Sequence, residues 1–273
     1  MRFSLIMATL GRRDEIIELL QSLEKQTYKN FELIVVDQNN DPIADLFQDF
    51  KDKYPINYIS TPIKGLSRAR NRGLEVADGD IIAFPDDDCV YESNVLEQIK
   101  ETLETKEEID FISTNTSNIE GTGSLVIAPQ SDIVLDNKYG FFGPSFTLFF
   151  KKQLVKEIGL FNEDLGVGSG TIYGAGEETD FVLRGLKKGY KGLFRKDLFV
   201  YHPLKEETID EQSLIRALSY AGGFGKIIRL HYGFPYLLRA VAAASFRSIQ
   251  NISNDKRKFH LNRLKGIIRG YFR

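Results

Sequence analysis

The first 115 residues switch repeatedly between two hydrophobic periods, and this switching restricts the fold more than any other feature of the chain. Phe3–Ala8 is an apolar run of strand length. Asp14–Lys25 then sets Ile16, Ile17, Leu19, Leu20 and Leu23 at helical spacing. FELIVV at 31–36 reads as a strand, and Pro42 opens a helix carrying Ala44, Leu46, Phe47 and Phe50. Ile56–Ser60 is strand-like, Leu66–Ala77 is helical up to Asp78-Gly79, and Asp80–Phe84 is a buried strand. Ser93–Thr105 follows as a helix with Ser93 as its cap, then Ile109–Thr114 as a strand. About five such alternations predict an α/β fold, a mostly parallel Rossmann-like sheet flanked by helices. Ligands of such sheets bind beyond the carboxyl ends of the strands. Thr9–Arg12, Asp37–Asn40 and Asp86–Asp88 are therefore the candidate site segments.

After residue 115 the alternation fades into Ser, Thr, Asn and Gly with short β-like runs. FTLFF at 146–150 reads as a core strand and Lys151–Ile158 as a short helix. Residues 166–176 hold five glycines, as in a mobile segment or one closely approached by a ligand. Asp180–Lys188 is helical, and Gly192–Arg195 and Leu198–Tyr201 read as two short strands. From 211 the pattern is helical: Leu214–Tyr220, a helix opening at Pro235, and Phe259–Phe272.

Charge is unevenly spread. Of 36 basic and 38 acidic residues, 12 basic and two acidic fall after residue 210, so that segment carries +10 and the rest −12. In Phe259–Phe272, Leu261, Leu264, Ile267, Ile268 and Tyr271 share one helical side and Arg263, Lys265 and Arg269 the other, the pattern of a helix lying in a membrane interface. An anionic membrane surface is the expected partner of 211–273, and nucleic acid is not. A helix docked on the rest of the chain or on a partner subunit is the alternative. A single cysteine excludes an intramolecular disulfide and most cysteine metal sites. No stretch of 18 uncharged apolar residues predicts a spanning helix, and the N-terminal run lacks a cleavable-signal pattern. The expected location is cytoplasmic, with peripheral attachment to the inner face of the cell membrane.

Three consecutive carboxylates after a buried strand are costly unless a cation offsets them. Asp86 and Asp88 thus point to Mg²⁺ or Mn²⁺, hard ions that share their shell with substrate phosphates. Upstream, Arg68, Arg70 and Arg72 point in different directions on a helix, and Arg70 beside Asn71 is the expected ligand-facing pair. A second acidic cluster, Glu177, Glu178 and Asp180, follows roughly 90 residues later and can supply a general base. Cys89 reads as a small packing residue.

The segments MATLGRRDEIIELLQSLEKQTYKNFELIVVDQNND, GLSRARNRGLEVADGDIIAFPDDDC and GAGEETDFVLRGLKKGY, in this order, resemble the family 2 glycosyltransferases of the GT-A fold over roughly residues 1–205. The resemblance implies an inverting, metal-dependent transfer of a sugar from a nucleoside-diphosphate sugar, a UDP-sugar first. The acceptor would be a saccharide or lipid-linked saccharide, in bacterial surface polysaccharide synthesis. It implies a catalytic domain at 1–210, with a nucleotide-binding half (1–115) and an acceptor-side half (116–210), and a basic helical extension at 211–273. Thr9, Arg12, Asp37, Arg70, Asp86 and Asp87 would bind the donor, and Asp86, Asp88 and His202 the metal. Gly174, Gly176 and Glu177 would serve the acceptor or a lid. Glu178 aligns with the general base, with Asp180 second and Glu177 third. The family usually has Asp at the Glu178 position and Leu at the Pro85 position. A nucleotidyltransferase fits less well, because TLGRRDE is not a glycine-rich phosphate loop. A non-catalytic binding module does not account for the intact acidic set. A dinucleotide oxidoreductase lacks its GxGxxG.

Overall fold

Seven consecutive residues of β1 (Phe3–Thr9) pair in parallel with all seven of β2 (Phe31–Asp37), and both strands are buried along almost their whole length. Such continuous apolar runs belong to strands covered on both faces. β3 (Ile56–Ser60) and β4 (Ile81–Ala83) flank them in parallel. The computed structural model describes residues 1–124, 126–136, 143–204, 209–250 and 254–273. The remaining strands are β5 (Val90–Tyr91), β6 (Phe111–Ser117), β7 (Ile133–Leu135), β8 (Leu148–Lys151) and β9 (Gly192–Tyr201). Nine strands form one sheet in the order β3-β2-β1-β4-β8-β6-β9-β5, with β7 also on β9. The expected parallel arrangement holds for β3-β2-β1-β4. Beyond it β8 runs antiparallel to both β4 and β6, and β6 and β9 are parallel. The alternation of periods fades in the sequence where this mixed half begins.

The described residues form two compact units. Unit 1 is Met1–Lys64, Ala69–Leu160 and Val182–Leu204, and holds the sheet. Its core lies between the sheet and α1 (Asp14–Glu24) and α3 (Val95–Thr105), through Ile16, Leu19, Leu20, Leu23, Val95, Leu96, Ile99 and Leu103. The helix expected from Pro42 is a 3-10 segment, Ala44–Phe50, that buries Phe47 and Phe50. α2 spans Leu66–Leu74, three residues shorter than expected at its C-terminal end, and α4 spans Lys152–Ile158. α3 begins at Val95 after Asn94, without a side-chain cap, so Ser93 is not its capping residue.

The two strands expected at 192–195 and 198–201 are one, β9, whose register against β6 slips at 195–199. Thr114 faces Arg195 while Asn115 faces Phe199, a bulge of three residues.

Unit 2 is Gly65–Arg68, Phe161–Phe181 and Lys205–Arg273. The glycine-rich stretch, expected in the acceptor-side half, thus groups with the helices after 210. Those helices are α6 (Glu211–Ile227), α7 (Phe234–Gln250) and α8 (Asn254–Phe272); α5 (Glu177–Lys187) begins in this unit. A π-helical segment, Ile228–Tyr232, joins α6 to α7. Asp210 and Ser213 cap α6 reciprocally. Ala221, Ile228, Leu237 and Ile267 form the helical core. The backbones of α6 and α8 touch: a Cβ on Gly270 would overlap the Gly222 carbonyl, and one on Gly266 the Leu218 carbonyl. Among the described residues no helix is long and apolar enough to cross a membrane.

Gly270→Ala should therefore force α6 and α8 apart and lower stability by about 1–3 kcal/mol, the usual cost of overpacking. Thermal unfolding followed by helical circular dichroism checks this, and an unchanged midpoint would contradict the packing.

Candidate active site

Unit 1 gathers its polar strand ends in one row. Thr9 is opposite Asp37 in the β1–β2 ladder, and a parallel bridge joins Ala8 to Asp86 beyond β4. The antiparallel pair β5–β9 then sets Val90 against Tyr201, which brings His202 beside Asp88. The three expected strand ends and the distant histidine thus lie together.

Each of the three aspartates meets a different set of partners. Asp87 is buried and accepts from Thr9 Oγ1 and from the Arg12 guanidinium, both at 2.7 Å. Burial, with Asp88 and Asp86 beside it, pushes Asp87 up to about 6 against the pull of those two donors. Arg12 also pairs with Asp88. Burial opposes its charge, but the two carboxylates hold its pKa above the ordinary value. Asp86 takes Arg70, whose guanidinium lies 3.3 Å from Asp86 Oδ1 and donates to Ser145 Oγ at 2.6 Å. Arg70 is 1% exposed and lies over the Phe84 ring, so it bears on the site through Asp86. Cys89 is fully buried in the core, consistent with a packing role.

Asp86, Asp88 and His202 each offer one ligand atom, all within 4.8 Å of one another. His202 stacks on Phe146, and its Nδ1 lies 2.8 Å from the Pro203 carbonyl. A carbonyl only accepts, so Nδ1 carries a proton. Burial works against a charge on the ring, but Asp88 and Asp86 hold the imidazole above its ordinary value. Nε2 is 3.0 Å from Asp88 Oδ1, and that buried oxygen has no aligned hydrogen-bond donor among the described residues. A proton on Nε2, or a metal cation in its place, reconciles the two atoms. A histidine fixed by a carbonyl at its other nitrogen is the usual form of a metal ligand. The donor set, two carboxylates and an imidazole, suits Mn²⁺ or Mg²⁺.

Asp37 is occupied by its own loop. Its carboxylate accepts from the backbone of Asn39 and Ile43, from the Asn39 amide and from Tyr58 OH. Burial works against its charge, yet these bonds hold it below the usual carboxylate range. Asn39 Oδ1 in turn accepts from Gly11 N at 2.7 Å, which ties the first two strand ends together. Asn39 lies within the expected segment Asp37–Asn40, whereas Tyr58 was not among the expected site residues, and hydropathy alone does not single it out.

Unit 2 holds the later acidic motif in the first turn of α5, where carboxylates are favoured by the helix dipole. Glu177 and Asp180 are buried, whereas Glu178 is half-buried. A Cβ on Gly166 would lie 3.0 Å from Glu177 Oε2, and one on Gly174 would overlap Ser219, so Gly166 and Gly174 are sites of close packing. Gly176 has φ +98° at the entry to α5. Asp180 Oδ1 lies 2.8 Å from Nε2 of His231, a residue of the π-helical segment. Sequence reasoning passed over His231, because 51 residues separate the pair and no periodicity marks it. His231→Ala should cost about 1–3 kcal/mol, the loss of a buried polar contact to Asp180. Adding Asp180→Asn should recover part of that loss in a double-mutant cycle of thermal stability. Strictly additive effects would show the contact to be idle.

Residues 4–159 match the model of glycosyl transferase family 2. The amylovoran biosynthesis glycosyltransferase AmsB of Erwinia amylovora is 30% identical over 207 residues, which is 69% of this chain and 65% of that protein. Some relatives are much longer: the chain spans 19% of a Rickettsia felis glycosyltransferase that it matches at 35% identity over 118 residues, 42% of this chain. Among solved structures, the mannosyltransferase PcManGT from Pyrobaculum calidifontis, in complex with GDP-Man and Mn²⁺, aligns with a TM-score of 0.67 at 14% identity, covering 98% of this chain and 86% of that one. S. aureus TarS 1–349 in complex with UDP-GlcNAc aligns with a TM-score of 0.62 at 19% identity, covering 99% and 89%. These likenesses are of fold, the GT-A fold. With more than half of its length matched by the family model, the chain belongs to glycosyl transferase family 2.

Proposed function

We propose that the protein is an inverting glycosyltransferase that moves a sugar from a nucleoside-diphosphate sugar, a UDP-sugar first, to a hydroxyl of a saccharide or lipid-linked saccharide in surface polysaccharide synthesis. Family membership supports the transferase, the kinship with AmsB the polysaccharide, and the likeness to a UDP-GlcNAc-bound structure the donor class. The observation that carries the reading is the Asp86, Asp88 and His202 cluster, whose ligand atoms lie within 4.8 Å of one another. These residues would hold a divalent cation, which when bound neutralises charge on the leaving diphosphate. Thr9 and Arg12 fix Asp87, and Arg70 fixes Asp86, so the motif is oriented before a donor arrives. Asp37, through Asn39 and Gly11, shapes the loops that would border the nucleoside.

Glu178 is our choice of base. It would take the proton of the acceptor hydroxyl, while Glu177 and Asp180 are buried beside it and Asp180 is held by His231. By letting the chain before α5 pack against Ser219 and Ile227 of α6, Gly174 and Gly176 would fix the approach to Glu178 on the acceptor side. We also assign 211–273 to an anionic membrane surface, on its +10 charge and the exposed Leu261, Ile268 and Phe272, although Ile267 and the glycines of α8 dock on α6.

His202→Ala should weaken Mn²⁺ binding by at least the ~10–100-fold that even the loss of an orienting partner costs, and abolish metal-dependent transfer. Titration calorimetry with Mn²⁺ and a donor-consumption assay across UDP- and GDP-sugars check both, and full activity without divalent ions would overturn the metal assignment.

Glu178→Gln should keep donor affinity and lower turnover by about 10²–10⁴-fold, the usual worth of a general base. If Asp180→Asn shows that profile and Glu178→Gln does not, the base lies two residues further on.

A further inference from the structure

α7 (Phe234–Gln250) is apolar on two of its sides. One side docks: Leu237 is buried in the helical core, and Ala240, Val241 and Ala244 pack against that core. The other side faces outward. At 100° per residue, Phe234, Leu238, Ala242, Phe246 and Ile249 fall within a sector of about 120°, which they share with Pro235 and Ser245 alone. Phe234, Leu238, Phe246 and Ile249 are 51, 56, 61 and 80% exposed. The row runs for roughly 22 Å at 1.5 Å per residue, and no charged residue interrupts it. A helix docked on a core needs one apolar stripe, so the second is surplus to the fold. A contiguous exposed apolar row marks a surface that meets a partner or a membrane.

Charge decides what covers it. Residues 234–273 hold nine basic residues and one acid, Asp255, a net +8. Pairing inside the segment leaves that net charge unchanged. A second copy seated on the row would bring this positive segment against its own like, which disfavours association. An anionic leaflet attracts the same segment. Among the described residues no helix is long and apolar enough to cross a membrane, so α7 would lie in the plane of the interface with its row inward. α8 has less apolar surface to offer, because Gly266, Ile267 and Gly270 are taken up by α6, and Leu261 and Ile268 are little more than a third exposed.

We propose that α7 is the helix that enters an anionic bilayer interface, with Phe234, Leu238, Phe246 and Ile249 against the acyl chains and the basic residues of α8 at the head groups. The proposal rests on the membrane assignment of 211–273 and moves its main apolar contact from α8 to α7.

The test uses the full chain and vesicles of phosphatidylcholine with phosphatidylglycerol. Phe246→Ser/Ile249→Ser should weaken sedimentation with them at least ~10-fold, and Leu261→Ser/Phe272→Ser on α8 by less than ~3-fold. Equal losses, or the reverse order, would overturn the α7 assignment and leave the membrane reading standing. Equal binding to phosphatidylcholine alone would overturn the anionic partner. The chain has no tryptophan, so Phe246→Trp reports on this position by itself. Its fluorescence should be quenched by brominated acyl chains. A vesicle-bound but unquenched tryptophan would overturn the insertion, even where the serine variants misfold. A wild-type chain that ignores these vesicles would overturn the proposal and the membrane reading together. A dimer in solution that Phe246→Ser/Ile249→Ser dissociates would give the row to a second copy instead.

Discussion

Three consecutive carboxylates at the end of a buried strand repel one another, and the arrangement of unit 1 follows from how that repulsion is offset. Asp87 is met from the end of β1, by Thr9 and Arg12. Asp86 is met from α2 by Arg70, and Asp88 from the end of β9 by His202. No two of the three share the same set of partners. Three separate stretches must reach the run for it to be tolerable, so the motif reports on much of the sheet. Arg70 shows the cost of this design: a guanidinium at 1% exposure is retained in the core, where it must be fully engaged to be tolerated.

Much of this was legible in the residues. The strands and helices of the first 115 positions announce themselves by period, because parallel strands covered on both faces need unbroken apolar runs. The polar ends of β1, β2 and β4 could be named as site segments because that topology puts strand ends on one edge. What was not legible is long-range. β8 enters the sheet antiparallel between β4 and β6, and FTLFF carries no mark of its direction. The ligand-facing role expected of Arg70 came from its place on a helix, but the nearby carboxylate of Asp86 and hydroxyl of Ser145 engage it instead. His231 acquires meaning only through the π-helical segment that carries it to Asp180.

The tail shows how two demands on one helix are reconciled. α8 was expected to present its apolar side to a membrane or to dock on protein. Gly266, Ile267 and Gly270 dock on α6, whereas Ile268 and Phe272 are exposed. Glycine makes this division possible: backbone contact takes up little of the helix circumference, and neighbouring apolar side chains are left over for another surface.

The bulge in β9 has a consequence for how this chain can change. Side chains alternate along a strand, so residues five apart should face opposite ways, yet Leu193 and Leu198 join the same core. The three extra residues between Arg195 and Phe199 reset the parity. Val200 keeps the new phase, and His202 comes two positions after it. The phase of 199–201 is held by their pairing with 115–117, so a change of length at 196–198 falls on the unpaired stretch, whereas a one-position slip of that pairing would turn the imidazole to the far side of the sheet.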